Sequence, residues 1–442
     1  MSQQELLVAA RSAVALAKKH GAKDAAASAS RSREVETTWR DGKIEKVSDA
    51  VSRSVTLQIY ADGKYGSMST SDLRPDALDR FVAGAVQMVR AIAPDAHRTL
   101  PDPSHYEGRS TEDLGAFDPA LLEVTADARV ARAKAHEEAA RSVKDGGRIL
   151  SVSTAVSDQT VASARVTTNG FEGAFQASYA SQSASVSVKD DDGRRPEDWA
   201  YATTRKLSSL PPPELVGREA TERALTRLGA KKMPSGTMNV LVEARAARGL
   251  LWHLVGPLSG ASLQQRESFL EGKLGSAVAS RELSLTDDPL LREGLASRPY
   301  DSEGISTKRR ALFEKGVLKT YLLDVYYANK LKLTPNSGAT TNVLVAPGTR
   351  SKDQLTADMK DGIVITSFLG GNSNGTTGVF SLGLAGYRVV AGKRAEAVGE
   401  MNISGNHLDF WKRLVAVGND PYLYSSLRSP SLLFEKVSVA GT

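Results

Sequence analysis

The chain has 442 residues, of which 41% are hydrophobic and 24% are charged, and it contains no cysteine. This composition is typical of a globular protein with room for two or three domains, and it excludes disulfides and any cysteine-bound metal. No apolar run approaches the roughly 20 residues of a membrane helix, so we expect a cytoplasmic protein that does not contact a membrane. The net charge of +6 is dispersed along the chain, which favours an ordinary basic surface over nucleic-acid binding.

The N-terminal half begins with a predicted helix and continues as a predicted sheet. Residues 4–20 predict an amphipathic helix rather than a signal peptide, because Arg11 interrupts the apolar stretch. Alternating polar and apolar residues extend over 24–70, with Asp-Gly pairs at the turns of two predicted hairpins. A second helix is predicted over 75–93, where apolar residues recur at helical spacing.

The order of these elements then repeats. A predicted helix over 119–144 is followed by an alternating stretch over 149–188, with an Asn-Gly turn at 169–170, and by a helix that begins within PPPELVGRE. This order indicates an internal duplication, although any antiparallel α+β domain would show the same order. We predict an N-terminal α+β domain over residues 1–229, with an antiparallel sheet and flanking helices.

The C-terminal half differs in residue composition and in its hydrophobic pattern. Residues 230–236 are polar and predict a linker. A strand over 237–243 precedes a predicted helix over 244–258, and glycine and β-branched residues dominate the sequence beyond. We therefore predict a β-rich C-terminal domain with few helices over residues 237–442, so the fold class of the whole chain is α+β.

A self-contained metal motif is not evident among the six histidines. His136 alone is followed by glutamate, and Ala140 and Arg141 stand where a second histidine would complete H-E-x-x-H or H-E-x-x-x-H. We interpret His136, Glu137 and the following glutamate as a charged, solvated face of a helix.

Three long phrases resemble the TldD/PmbA family: DSEGISTKRR, EKGVLKTYLL and SGNHLDFWKRLVAVGND. The resemblance covers most of the C-terminal half closely and the N-terminal half in general layout. It implies a system in which a TldD-type and a TldE-type (PmbA-type) subunit form a zinc metalloprotease that degrades unfolded peptides. One departure is residues 336–342, which read NSGATTN where the family usually has a phrase with glycine and histidine.

The resemblance places the family's zinc motif, H-E-x-x-x-H, at residues 252–257. Trp252 and Pro257 replace the two histidines, and His253 replaces the glutamate that would take a proton from the metal-bound water. Neither tryptophan nor proline offers a lone pair to zinc. The resemblance therefore implies a TldE-type chain with no metal, cofactor or catalytic residue of its own, and it places the zinc in a TldD-type partner.

Asp301, Glu303 and Gly304 lie in the phrase PYDSEG. The two carboxylates could act as acid and base in a cleft, or they could hold the loop and dock a peptide. The resemblance favours the second interpretation, because both subunit types share a similar phrase.

Gly370 and Gly371 open the phrase GGNSNGTT. A phosphate-binding loop needs lysine where Thr376 stands, so we interpret these glycines as positions of positive φ or close backbone approach. The resemblance implies that this segment lies beside a peptide cleft.

The resulting hypothesis is a non-catalytic subunit of a heterodimeric zinc metalloprotease. This chain would be inactive alone, would complete the dimer and would present strand edges to an extended, unfolded peptide. The alternatives are a homodimer in isolation, a peptide-binding protein, a non-enzymatic regulator of the DNA gyrase modulator kind, and a self-standing hydrolase with an unrecognised site.

Overall fold

The computed structural model describes residues 2–442, and its N-terminal half consists of two similar units. In each unit a helix is followed by three antiparallel strands and a second helix. The first unit comprises α1 (Gln3–Lys19), β1 (Asp24–Arg40), β2 (Lys43–Ala61), β3 (Lys64–Thr70) and α2 (Pro75–Ala91). The second comprises α3 (Ala126–Arg141), β4 (Ile149–Thr167), β5 (Glu172–Val188), β6 (Glu197–Thr204) and α4 (Pro213–Leu225).

The six strands form one antiparallel sheet in the order β3-β2-β1-β4-β5-β6. β1 and β4 are neighbours at its centre, with Arg33 opposite Thr160, so the two units meet with an approximate two-fold relation. The predicted α+β class and the predicted repeat of the order of elements are both confirmed.

The predicted hairpin turns are also confirmed. Asp41 and Asp62 have φ of 46° and 54°, and each is followed by a glycine with positive φ. Two successive positive φ values are what the tight turn of a hairpin requires, and Asp-Gly supplies them at low cost.

The helices cover one face of the sheet, and the alanine-rich strands allow close packing. α1 buries Leu6, Ala10 and Ala13 with α2 over the first unit. In the second unit Val216 and Ala220 of α4 pack over β5 and β6, with further buried apolar residues.

The interpretation of His136 and Glu137 as solvated is wrong. His136 is 0% exposed and Glu137 is 8% exposed, because α4 packs against α3 and the sheet lies on the other side. Glu137 accepts hydrogen bonds from the Trp39 indole and from the backbone N–H of Gly42, and it pairs with Arg141 at 2.7 Å. The predicted single helix over 119–144 is also interrupted: a 3-10 turn ends at residue 123, and α3 starts after its N-cap, Thr125.

The C-terminal half is rich in strands, as predicted, and its five α-helices are short. Its elements are β7 (Gly236–Val242), α5 (Ala244–Val255), α6 (Gly260–Gln264), β8 (Leu285–Asp287), β9 (Arg310–Glu314), β10 (Val317–Leu318), α7 (Val325–Leu331), β11 (Val343–Val345), α8 (Lys352–Met359), β12 (Gly362–Ser373), β13 (Val379–Val390), β14 (Lys393–Asn406), α9 (His407–Phe410), β15 (Leu414–Val417), β16 (Leu427–Arg428) and β17 (Leu432–Ala440).

These strands form two sheets. One has the order β10-β9-β8-β11-β16, and the other has the order β14-β13-β12-β7-β17-β15. β14 also pairs with β17, so five strands of the second sheet close into a ring around a core that contains Trp411 and Phe434. The segment 230–235 is mostly exposed and reaches this ring through a bridge between Lys231 and Val398. Among residues 2–442, no helix is long and apolar enough to cross a bilayer.

Candidate functional site

The helix that carries the degenerate motif, α5, is held at its start by buried charges. Glu243, its N-cap, pairs with Arg223 of α4 at 2.9 Å and with Lys352 of α8 at 3.0 Å. Burial alone would raise the pKa of Glu243, but the two positive charges more than offset this, and the pKa lies below its ordinary value. Arg223 also lies 3.2 Å from Asp198, so the charge cluster joins the two halves of the molecule.

The three positions of the degenerate motif lie in different environments. α5 buries Leu250 and Leu254 in the core, which directs Trp252 outward, where it is 41% exposed. Trp252 lines an open surface cavity of about 300 Å³ together with Trp199, Tyr201, Arg245 and other residues of both halves. Pro257 is buried in the 3-10 turn that follows α5, and its carbonyl accepts a hydrogen bond from the Ser268 hydroxyl at 2.7 Å.

His253 stacks on a second histidine, His407, with 5.8 Å between the ring centroids. His407 is 0% exposed, is stacked against Phe269 and Phe380, and lies 2.9 Å from the Ser373 hydroxyl through its Nε2 atom. Burial, with a smaller contribution from His253, lowers the pKa of His407 to about 4. Burial also lowers the pKa of His253.

Asp301 organises the PYDSEG loop. It is 5% exposed, and its Oδ1 atom accepts the backbone N–H groups of Glu303 at 2.8 Å and Ile305 at 2.9 Å. Gly304 has a φ of 95°, and a Cβ atom at this position would lie 2.8 Å from the ring of Phe171. These contacts favour the loop-forming interpretation of Asp301 and leave one of its oxygens without a role in the turn.

Glu303 faces a cavity between the two halves. Its Oε2 atom accepts the N–H of Val325, the first residue of α7, at 3.0 Å. Burial raises the pKa of Glu303 to about 7; the bond from Val325 opposes this shift, and the charges of Asp301 and Asp324 add to it. The cavity has a volume of about 340 Å³, and Tyr60, Tyr65, Arg98 and Tyr326 contribute to its wall.

Gly370 and Gly371 lie in β12, whereas the PYDSEG loop lies outside the named strands. Their φ values are 104° and 134°, the strand pairing is irregular here, and a Cβ atom on Gly371 would lie 2.3 Å from the carbonyl oxygen of Ser381. The predicted positive φ and close backbone approach are confirmed. A strand follows this segment instead of the helix of a phosphate-binding loop. A peptide-facing role for these glycines stays a prediction.

Known protein families match this chain over most of its length. The chain matches the family models of PmbA/TldA metallopeptidase domain 1 over residues 25–89, the central domain over 119–228 and the C-terminal domain over 235–441. It is 32% identical over 415 residues to metalloprotease PmbA of Escherichia coli, covering 92% of this chain and 90% of the relative. The chain belongs to the PmbA/TldD family.

Other similar proteins match this chain over nearly its whole length. A metalloprotease PmbA homolog of Haemophilus influenzae is 30% identical, with 99% of this chain and 97% of the homolog covered. A putative modulator of DNA gyrase from Bacteroides thetaiotaomicron has a TM-score of 0.95 at 36% identity, with 98% of both chains covered. TldE of Thermococcus kodakarensis has a TM-score of 0.86 at 19% identity, with 98% of this chain and all of that chain covered, which shows a shared fold.

The residues of this chain do not fit the zinc that the PmbA/TldD family implies. Trp252 lies at the surface, Pro257 is buried, and His253 presents its ring face to His407. Within residues 2–442, no group of three or more histidine, cysteine, aspartate or glutamate side chains is placed to hold a metal ion. The side chains at the three motif positions therefore cannot hold a zinc-bound water in this chain.

Sequence reasoning did not select His407 or Ser373 for any role. The signal for His407 was its position in SGNHLDF, one of the phrases that carry the resemblance to the PmbA/TldD family. Its stacking on His253, which is distant in sequence, depends on the ring of strands that brings α9 against α5.

Replacing Glu303 by glutamine is expected to stabilise the protein at alkaline pH. The folded-state pKa of about 7 lies above the ordinary 4.5, so the folded chain binds more protons, and the unfolding free energy falls as pH rises from about 4.5 to 7. Glu303→Gln removes this loss, which amounts to at most about 3 kcal/mol. The variant should match the natural protein in urea unfolding at about pH 4 and exceed it at pH 8.

The control for this measurement is Glu314→Gln, which changes an exposed glutamate at the end of β9. Its unfolding curve should follow that of the natural protein at both pH values. Equal stability of Glu303→Gln and the natural protein at pH 8 would show that Glu303 titrates normally.

Proposed function

We propose that this chain is the TldE-type, metal-free subunit of a two-subunit zinc metallopeptidase that acts on unfolded peptides. The observation that carries the proposal is the state of α5. The helix has a buried apolar face and a charged anchor at Glu243, while Trp252 on the helix and Pro257 in the turn after it occupy the two ligand positions of the motif. A well-packed helix without metal ligands fits a subunit that has a structural role and depends on a partner subunit to bind the metal. The partner's zinc would activate the water that attacks the peptide bond.

A strand edge on the N-terminal sheet supports a partner surface. β3 pairs with β2 only over Val55–Ala61, and across the described residues nothing pairs with the outer edge of residues 43–53. Ile44, Val47 and Val51 are 50%, 57% and 58% exposed on this edge. An open edge with exposed apolar side chains promotes association with another chain. We assign this edge, residues 43–53 of β2, to contact with the TldD-type subunit.

The test is reconstitution with a TldD-type subunit that has an intact H-E-x-x-x-H motif, taken from the same organism. This chain alone should not cleave a casein-derived unfolded peptide. The mixture should elute as a heterodimer and cleave the peptide, and a chelator should abolish the cleavage. His253→Ala in this chain should leave cleavage by the mixture intact, because the motif positions on either side of His253 hold Trp252 and Pro257, which cannot bind a metal.

Val47→Glu should weaken the heterodimer, whereas Leu215→Glu, a change at an equally exposed apolar residue of α4, should not. Cleavage by this chain alone in the presence of chelator, or no association with the partner at micromolar concentration, would refute the proposal. The second candidate function rests on the similarity to the putative modulator of DNA gyrase from Bacteroides thetaiotaomicron. A DNA complex of this chain that weakens steeply with salt would favour that regulatory function instead.

A further inference from the structure

A cavity of about 430 Å³ separates the N-terminal sheet from the segment 295–302 of the C-terminal half. Arg165 of β4, Arg205 after β6 and Arg298 line it, together with Tyr300. We propose that this cavity binds the C-terminal carboxylate of a short peptide. The inference rests on the proposed function, since it names the part of an unfolded peptide that this subunit holds.

The three arginines bring positive charge that no direct ion pair offsets, although the carboxylates of Glu303 and Asp301 act on Arg165 at longer range. Arg165 is 6% exposed, and its Nη atoms donate to two neutral groups, the Ser28 hydroxyl at 3.0 Å and the Gln58 side chain at 2.9 Å. Arg205 is 2% exposed and donates to the carbonyls of Gly294 and Leu295. Throughout residues 2–442, no acidic side chain forms an ion pair with any of these arginines.

Hydrogen-bond donors in the same wall are unused. The Nε and Nη2 atoms of Arg298, the Nε atom of Arg165 and the hydroxyl of Tyr300 are buried and have no partner among the described residues. A buried guanidinium N–H without an acceptor raises the free energy of the folded protein. A ligand that supplies acceptors would therefore be stabilised on binding. A carboxylate matches the planar guanidinium group with two parallel hydrogen bonds.

The single carboxylate in the wall, Asp301, does not fill this role. Its Oδ1 atom is occupied by the backbone N–H groups of Glu303 and Ile305, and it lies beyond ion-pair distance of Arg298. The cavity therefore keeps a net positive charge next to one fixed negative group.

The shape and the lining favour a peptide over a bare oxyanion. The volume lies in the range of about 300–1,000 Å³ that is usual for organic ligands. Ala164, Phe175 and Leu295 give the cavity an apolar wall that a side chain can contact. Arg298 and Asp301 also line the adjoining cavity that holds Glu303, so a peptide whose end is bound here can continue past the PYDSEG loop.

The experiment measures binding to the isolated full chain by fluorescence anisotropy. The probes are a short fluorescein-labelled peptide of alanine, serine and phenylalanine with a free C-terminal carboxylate, the same peptide as its C-terminal amide, and inorganic phosphate as competitor. We expect the acid to bind about tenfold or more tightly than the amide, since hydrogen bonds between charged groups are lost in the amide. Phosphate should compete only weakly.

Arg298→Gln should reduce the affinity for the acid by about tenfold or more and leave that for the amide unchanged. The same variant should unfold at a temperature equal to or above that of the natural protein, because it removes two donor atoms, Nε and Nη2, that are buried without an acceptor; a purely structural Arg298 would give a lower temperature. Arg309→Gln, which changes an exposed arginine paired with Asp288, is the matched control and should bind both peptides as the natural protein does.

Equal affinity for acid and amide would overturn the proposal, and so would strong binding of phosphate without binding of the acid. Because the assay uses this chain alone, either result would leave the reconstitution test of the proposed function unaffected. Failure of reconstitution with selective binding of the acid would instead identify a peptide-binding protein.

Discussion

Replacing Arg223 by methionine is expected to destabilise the protein by about 3–5 kcal/mol, the usual cost of removing one partner from a buried ion pair. The side chain of Arg223 is 12% exposed and serves Asp198 and Glu243 at once, and its Nη2 atom also donates to the carbonyl of Thr366 at 2.8 Å. The variant leaves the Asp198 carboxylate, 4% exposed, with a hydrogen bond from the backbone N–H of Trp199 at 2.8 Å, and its nearest remaining cation is Arg227 at 3.8 Å. The N-cap of α5 loses its tie to the N-terminal half as well.

The measurement is urea unfolding followed by circular dichroism, with the midpoint of the first transition compared because the two halves need not unfold together. Arg218→Met, an exposed change on the same helix, is the control and should be close to neutral. A loss in Arg223→Met no larger than that in the control would show that solvent, and not Arg223, satisfies the two carboxylates.

Acid is expected to destabilise the protein through His136 and His407, at up to about 3 kcal/mol for each residue between pH 6.5 and 4. Burial lowers the folded-state pKa of both histidines to about 4, against an ordinary value of 6.5. The unfolded chain therefore takes up these protons first as the pH falls. The stability contributed by the neutral rings is fully present above pH 6.5 and is lost as the pH falls towards 4.

The physical cause is similar at both positions. The Nδ1 atom of His136 lies 2.7 Å from the carbonyl of Arg132, its Nε2 atom has no partner among the described residues, and α4 covers the ring. His407 is enclosed by aromatic rings, and its Nδ1 atom likewise has no partner. A second proton on either ring would create a buried positive charge, and its N–H group would have no acceptor.

The test compares unfolding free energies at pH 7 and pH 5. His407→Phe keeps the ring stacking and removes the titration, so it should lose about 2 kcal/mol less than the natural protein on this change of pH. His97→Gln, a change at an exposed histidine, should follow the natural protein. Parallel losses in His407→Phe and the natural protein would show that His407 is already hydrated in the folded state.

Local sequence determined most of the secondary structure of the N-terminal half. Asp-Gly pairs between alternating stretches favour the positive φ values of a tight hairpin turn, so the hairpins at 41–42 and 62–63 could be predicted before any tertiary contact was known. The repeated order of helices and strands could also be read from the sequence, because hydrophobic periodicity and turn residues are local signals. The interruption of the predicted helix over 119–144 was missed, although Thr125 is a typical N-cap residue.

Local sequence also determined what the motif at Trp252, His253 and Pro257 lacks, because the ability to bind zinc belongs to the side chains themselves. It left the roles of Asp301 and Glu303 open. A hydrogen bond within four residues explains Asp301, whereas the high pKa of Glu303 depends on burial by elements from both halves.

Only the tertiary structure decided which polar residues are buried and which of them contact one another or line the same cavity. His136 and Glu137 have the sequence of a solvated helix face, and they are buried because α4 packs over α3. Arg165 and Arg298 are separated by more than a hundred residues, and they line one cavity because the N-terminal sheet packs against segment 295–302. The cost of burying a charge depends on its surroundings in space, which hydrophobic periodicity along the chain does not record.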